Sequence, residues 1–148
     1  MKRVVLAVVA ALSLGMFAIA GLVGVGLAQV KIEGTTLDEI LKKNPLPPGG
    51  PTAKVAGSVK TPTTELQVIE MSKIRLHHHE LEDHIIFVAR GRATARLGDE
   101  TREVKPGDIL NVPRRVPHGF TKIGDENLVL LVIATVGWKP LEDTKFYE

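Results

Sequence analysis

Four of the chain's five histidines fall between His77 and His84, and the fifth stands alone at His118. A neutral imidazole offers a lone pair to a metal ion, so such clustering of a scarce residue points to a site shared by neighbouring strands. His77 and His79 are two residues apart, and on a strand of period two both rings project from one face while His78 projects from the other. His84 opens an apolar run, Ile85-Ile86-Phe87-Val88-Ala89, that ends at Gly91. His118 follows Ile109-Leu110-Asn111-Val112, a short strand bounded by Pro106-Gly107 and Pro113. His77, His79, His84 and His118 are therefore the candidate ligands of one cation, with Glu82 or Asp83 as carboxylate alternatives to His84.

The surrounding sequence supplies strands to carry these donors. Leu66–Met71 and Lys73–His79 read as strands, and Arg92–Leu97 alternates polar and small apolar residues before a Gly98-Asp99 turn. Leu128 to Val136 is almost wholly apolar and β-branched, which predicts a strand buried on both faces. Short strands separated by turns predict an all-β sandwich or barrel. Ahead of them, Thr35–Lys43 has a threonine cap, early acids and late lysines, the pattern of one short helix. Residues 44–51 then hold four prolines and two glycines, a semi-rigid connector.

The histidine motifs resemble those of a small single-domain cupin. The first cupin motif, glycine, five residues, His-x-His, three or four residues, Glu, six residues, Gly, is matched here by His77, His79, His84 and Gly91. The second, Gly, five residues, Pro-x-Gly, two residues, His, three residues, Asn, is matched by Gly107, Pro113 and His118. Four positions depart from the pattern: Ser72 lies near the first glycine, His84 replaces the ligand glutamate, Arg115 the inner glycine and Lys122 the terminal asparagine. The resemblance spans Glu65 to Ala134. It implies an antiparallel double-stranded β-helix, the jelly-roll cupin barrel, and a divalent transition metal, manganese or iron ahead of nickel, copper and zinc. It also implies pairing as a homodimer through edge strands, to which the segment after the proline connector is expected to contribute.

Residues 1–28 stand apart. A basic start, Met1-Lys2-Arg3, precedes an uncharged run from Val4 to Ala28, which predicts a hydrophobic helix acting as a cleaved signal peptide or a membrane anchor. Residues 29–64 are expected to form an extension with the linker, and residues 65–148 the cupin domain, secreted or periplasmic. Without residues 1–28 the chain carries seventeen basic and seventeen acidic residues, so its basic balance does not indicate nucleic acid. With no cysteine, metal ligands must be nitrogen or oxygen.

The implied chemistry is that of a four-histidine ion with no protein anion, keeping its full charge and attracting a small anionic chelating substrate. Arg75 shares the parity of His77 and His79, so on a regular strand its guanidinium could fork onto a substrate carboxylate. Phe87, Phe120 and Trp138 are expected in the barrel core, and Phe120, two residues past His118, could also line the pocket as a substrate contact. No acid or base stands in the motifs apart from the ligands, which favours redox chemistry over hydrolysis or isomerisation. The leading reading is a metal-dependent dioxygenase acting on a small enolisable anion; the alternative is an exported, non-catalytic module that captures a small anion or the metal.

Overall fold

The computed structural model describes residues 34–134 and 143–147. The N-terminal hydrophobic segment and Trp138 lie outside them. One helix, α1 (Leu37–Lys43), precedes ten strands: β1 (Ala53–Lys60), β2 (Glu65–Met71), β3 (Lys73–His79), β4 (His84–Arg90), β5 (Arg92–Leu97), β6 (Glu100–Val104), β7 (Ile109–Val112), β8 (His118–Ile123), β9 (Leu128–Ala134) and β10 (Thr144–Phe146). They form two antiparallel five-stranded sheets, ordered β1-β2-β9-β4-β7 and β10-β3-β8-β5-β6. This is the expected double-stranded β-helix.

Alternation along the strands sets what faces the interior. On β4, His84, Ile86 and Val88 are buried while Ile85 and Phe87 are exposed. Phe87 therefore stands on the outer surface, 39% exposed, and not in the core as expected. Met71, Ile86, Leu128 and Leu130 are almost fully enclosed between the sheets, and burying a side chain of this size contributes about 1.5–3 kcal/mol. β9 is buried on both faces only at its start. There α1 packs Leu37, Ile40 and Leu41 against Val68 and Val129 of the outer face, but Ile133 beyond it is open to solvent. The helix is held by a capping box between Thr36 and Glu39, which satisfies amide donors that would otherwise be orphaned.

The segment after the proline connector forms β1, which pairs antiparallel with β2 of the same chain from Ala53↔Met71 to Lys60↔Glu65. The connector is tied back by a hydrogen bond from Leu46 N to Glu70 Oε2, 2.8 Å.

A bulge in β3 shapes the barrel mouth. Ile74 pairs with Phe120 and His77 with His118, so Arg75 and Leu76 together oppose Gly119. A Cβ on Gly119 would lie 3.1 Å from the carbonyl oxygen of Ile74 and from the amide of Leu76. Any larger residue would press on the bulge, and glycine leaves the extra residue room. Such a bulge reverses side-chain parity on one side of itself.

The two motif glycine positions behave differently. Gly91 adopts φ +71°, and a Cβ there would sit 2.5 Å from the Asn127 carbonyl oxygen. Arg115, where the pattern has glycine, keeps a left-handed φ of 64° despite its side chain. That conformation costs an L-residue about 1–2 kcal/mol. Its exposed ion pair with Glu80, 3.2 Å, offsets little of it. Arg115→Gly is expected to raise stability to urea unfolding by about 1 kcal/mol, the relief of strain exceeding the added freedom of the unfolded chain; an unchanged or lower midpoint would contradict this account.

Candidate metal centre

The bulge and the strand register bring the four histidines together. His77 and His118 are direct partners across β3 and β8, with ring centroids 4.2 Å apart. His79 lies 4.3 Å from His84 and 5.4 Å from His118, so rings from both sheets form one cluster. All four are at least nine-tenths buried. His78 points elsewhere, its Nε2 2.9 Å from Glu80 Oε1.

Local hydrogen bonds select the tautomers. A carbonyl oxygen only accepts, so the contacts of His77 Nδ1 with Arg75 O, 2.8 Å, and of His118 Nδ1 with Val116 O, 3.0 Å, place the proton on Nδ1. The Nε2 lone pair of each ring is then free. His79 Nδ1 faces Asp143 Oδ2 at 3.4 Å and lies within hydrogen-bond reach of Thr144 Oγ1 at 3.3 Å. Candidate ligand atoms of His77, His79 and His118 lie within 4.8 Å of one another, and so do those of His79, Glu82 and His84. These are two overlapping donor triads that share His79. Their imidazole nitrogens and single carboxylate, small separations and neutral rings fit a divalent transition ion.

Burial keeps the rings uncharged. Desolvation first, then the adjacent His84 and His77, lowers the pKa of His79 to about 3. Desolvation likewise lowers His84 to about 4 and His118 to about 3, and it lowers His77 as well. Glu82 moves the other way: burial, followed by the nearby charges of Asp143 and Glu65, raises it to about 7. Its Oε2 lies 3.4 Å from His84 Nε2, a long contact, and its Oε1 has no hydrogen-bond partner.

Two sequence expectations are corrected here. The site does have protein carboxylates, Glu82 beside His84 and Asp143 beside His79, and Glu82 is a buried group that exchanges its proton near neutrality. Asp143 gave no signal because it lies 64 positions beyond His79 and enters through the pairing of β10 with β3, Thr144↔His79. Arg75 does not join the site. The β3 bulge turns Ile74 inward in its place, and the exposed Arg75 guanidinium lies 4.8 Å over the Phe146 ring. Asp83, the other carboxylate alternative, is drawn off by Arg114, whose hydrogen bonds lower its pKa to about 2.

The histidines open into a cavity of about 280 Å³, lined otherwise by Ile69, Met71, Ile74, Phe120, Leu130 and other largely apolar side chains from both sheets. Phe120 is among these walls. Residues 65–134 match the sequence model of the Cupin domain family. This chain carries a cupin domain. Among solved structures, the cupin barrel is similar to that of an uncharacterized conserved protein with a double-stranded β-helix domain from Klebsiella pneumoniae, with a TM-score of 0.62 and 20% identity, covering 79% of this chain and 98% of that one. In sequence it is 29% identical over 116 residues to an uncharacterized protein of Methanocaldococcus jannaschii, 78% of this chain and 84% of that protein. It is 30% identical over 94 residues to the acireductone dioxygenase of Bacillus mycoides, 59% of this chain and 54% of the enzyme. The chain thus spans about half the length of that dioxygenase relative.

Because the rings are uncharged near neutrality, metal binding should displace almost no protons from them, and the proton that burial keeps on Glu82 is the one left to release. Four ordinary imidazoles would release about two protons in total at pH 6.5, whereas calorimetry of the metal-free protein in buffers of different ionisation enthalpy is expected to give a value below about one. Asp143→Asn, which keeps the shape but weakens the acceptor at His79, should lower metal affinity by about 10–100-fold while leaving the far-UV spectrum unchanged. Unaltered affinity would show that Asp143 does not position His79.

Proposed function

We propose that this protein is a metal-dependent oxidoreductase of the dioxygenase kind, acting outside the cytoplasm on a small anionic or enolisable molecule chelated at the histidine cluster. The observation that carries this reading is the pairing of buried, uncharged imidazoles with an apolar cavity of about 280 Å³. An ion held by His77, His79, His118 and His84 or Glu82, manganese or iron ahead of nickel, copper and zinc, would supply Lewis acidity and, where redox-active, electron exchange with oxygen.

The chain's own residues provide the rest. Apolar walls keep water from the reacting head of the molecule and strengthen the electrostatics there. His77 and His118, fixed through Nδ1 to backbone carbonyls, hold their lone pairs in place without reorganisation. Glu82, with a pKa near 7, can take up a proton from an enolisable substrate or return one near neutral pH. The acireductone dioxygenase of Bacillus mycoides, 30% identical over part of its length, supports oxygen chemistry. Export and pairing as a homodimer belong to the same proposal.

Iron- or manganese-loaded protein is expected to consume oxygen with at least one member of a panel of diketones, catechols and phenylpropenes, and His118→Ala should abolish that uptake. No uptake with any of them overturns the oxygenase reading. Tight stoichiometric binding without turnover would instead identify a capture module.

A further inference from the structure

Beyond the histidines, three polar side chains line the cavity: Lys54, Gln67 and Thr144. Two are engaged. Lys54 Nζ donates to Asn44 Oδ1 at 2.5 Å, and Thr144 Oγ1 lies 3.3 Å from His79 Nδ1. Gln67 is 3% exposed, and its amide has no hydrogen-bond partner among the described residues.

The register explains what surrounds it. Gln67 is paired with Val132 on one side, and Val132 in turn with Ile86, while on the other side it is paired with the exposed Ser58 at the edge of the sheet, so towards the interior of the sheet its row is aliphatic. The neighbouring row is Glu65, Ala134 and His84. A methionine or leucine would fill this position without burying a donor and an acceptor. The amide atoms are not among the fully enclosed ones, so this donor and acceptor face the cavity, where a bound molecule can meet them.

The geometry points to Gln67 as the residue that recognises a bound small molecule, through a carbonyl or hydroxyl group remote from the chelating head. This rests on the reading that a chelating molecule occupies the cavity. A cavity of about 150 Å³ accepts benzene, so the present one accommodates a single substituted ring or a chain of similar size. The backbones carrying Gln67 and His84 are two strands apart, roughly 10 Å. A ligand reaching from the histidines to the amide is therefore about one ring long. The class is a compact, mostly apolar molecule with a vicinal oxygen pair at one end and a single hydrogen-bonding oxygen at the other.

The test uses manganese-loaded full-length protein under nitrogen and two catechols of matched shape, 3,4-dihydroxybenzaldehyde and 4-methylcatechol. Their affinities differ for intrinsic reasons, so the quantity read is the ratio of the two dissociation constants in wild type relative to that in Gln67→Met. Loss of the amide is expected to shrink the preference for the aldehyde about tenfold, with metal affinity unchanged. The ligand-free variant should melt no lower than wild type. Gln67→Leu serves as the second variant should the methionine protein fail to fold. An unaltered ratio, failure of either catechol to bind, or a fall of several degrees in melting temperature overturns the inference. Binding discrimination without oxygen uptake would retain it and remove the oxygenase reading instead.

Discussion

The structure depends on holding four imidazoles out of water while leaving their lone pairs unused. An uncharged ring tolerates an apolar interior far better than a charged one, and the same interior forbids the rings from protonating together. Below the ordinary histidine pKa the unfolded chain takes up protons that the folded chain refuses, so the cluster costs stability as pH falls from about 6.5. Glu82 has the opposite sign, since its raised pKa makes the folded state lose stability as pH rises from about 4.5 to 7. The metal-free barrel is thus strained electrostatically from both directions. Binding of a cation relieves both, by using the lone pairs and by favouring the carboxylate.

The strand that completes the centre is the last one. β10 contributes only three residues to its sheet, Thr144–Phe146, yet Asp143 meets His79, Thr144 and Phe146 line the cavity, and Phe146 packs 5.5 Å from the His77 ring. Asp143 also accepts from the amide of Leu81 through Oδ1, 2.8 Å. That bond fixes the turn leading from β3 to β4 and so sets the distance between His79 and His84. Asp143, Thr144 and Phe146 all lie outside the segment 65–134 matched by the family. The family-matched part of the barrel supplies the histidines, and the short last strand adds Asp143 and Thr144 beside His79.

Legibility in the sequence followed the range of the interactions. The helix could be read because its caps are local, and most barrel strands because their alternation is local too. The histidine set was visible through motif spacing. Features that need a partner strand were not. The β3 bulge depends on Gly119, 44 positions beyond Arg75, and without it the parity argument placed Arg75 inside. The same limit hid β10, whose three residues show no periodicity, and the position of Phe87, whose hydrophobicity alone does not distinguish the inner face of a sheet from the outer. Gln67 gives no signal of its own, because a glutamine in a strand is ordinary until its neighbours across the sheet are known.

Moving the carboxylate away from the ligand set changes the electrostatics of the centre more than its geometry. In the pattern this chain resembles, a glutamate stands where His84 is, and its charge would act directly on the ion. Here Asp143 stands behind an imidazole, and Glu82 lies beside His84 in one donor triad. Coulomb attraction falls inversely with distance, so a carboxylate held about 6 Å away neutralises roughly a third as much as one in contact at about 2 Å. A cation bound by the three anchored imidazoles alone would keep most of its charge for an incoming anion. Ligation by Glu82 would cancel half of a +2 charge and weaken that attraction. The two overlapping triads share His79, one built from imidazoles alone and the other including the Glu82 carboxylate, so the charge left for an incoming anion depends on which donors the ion takes.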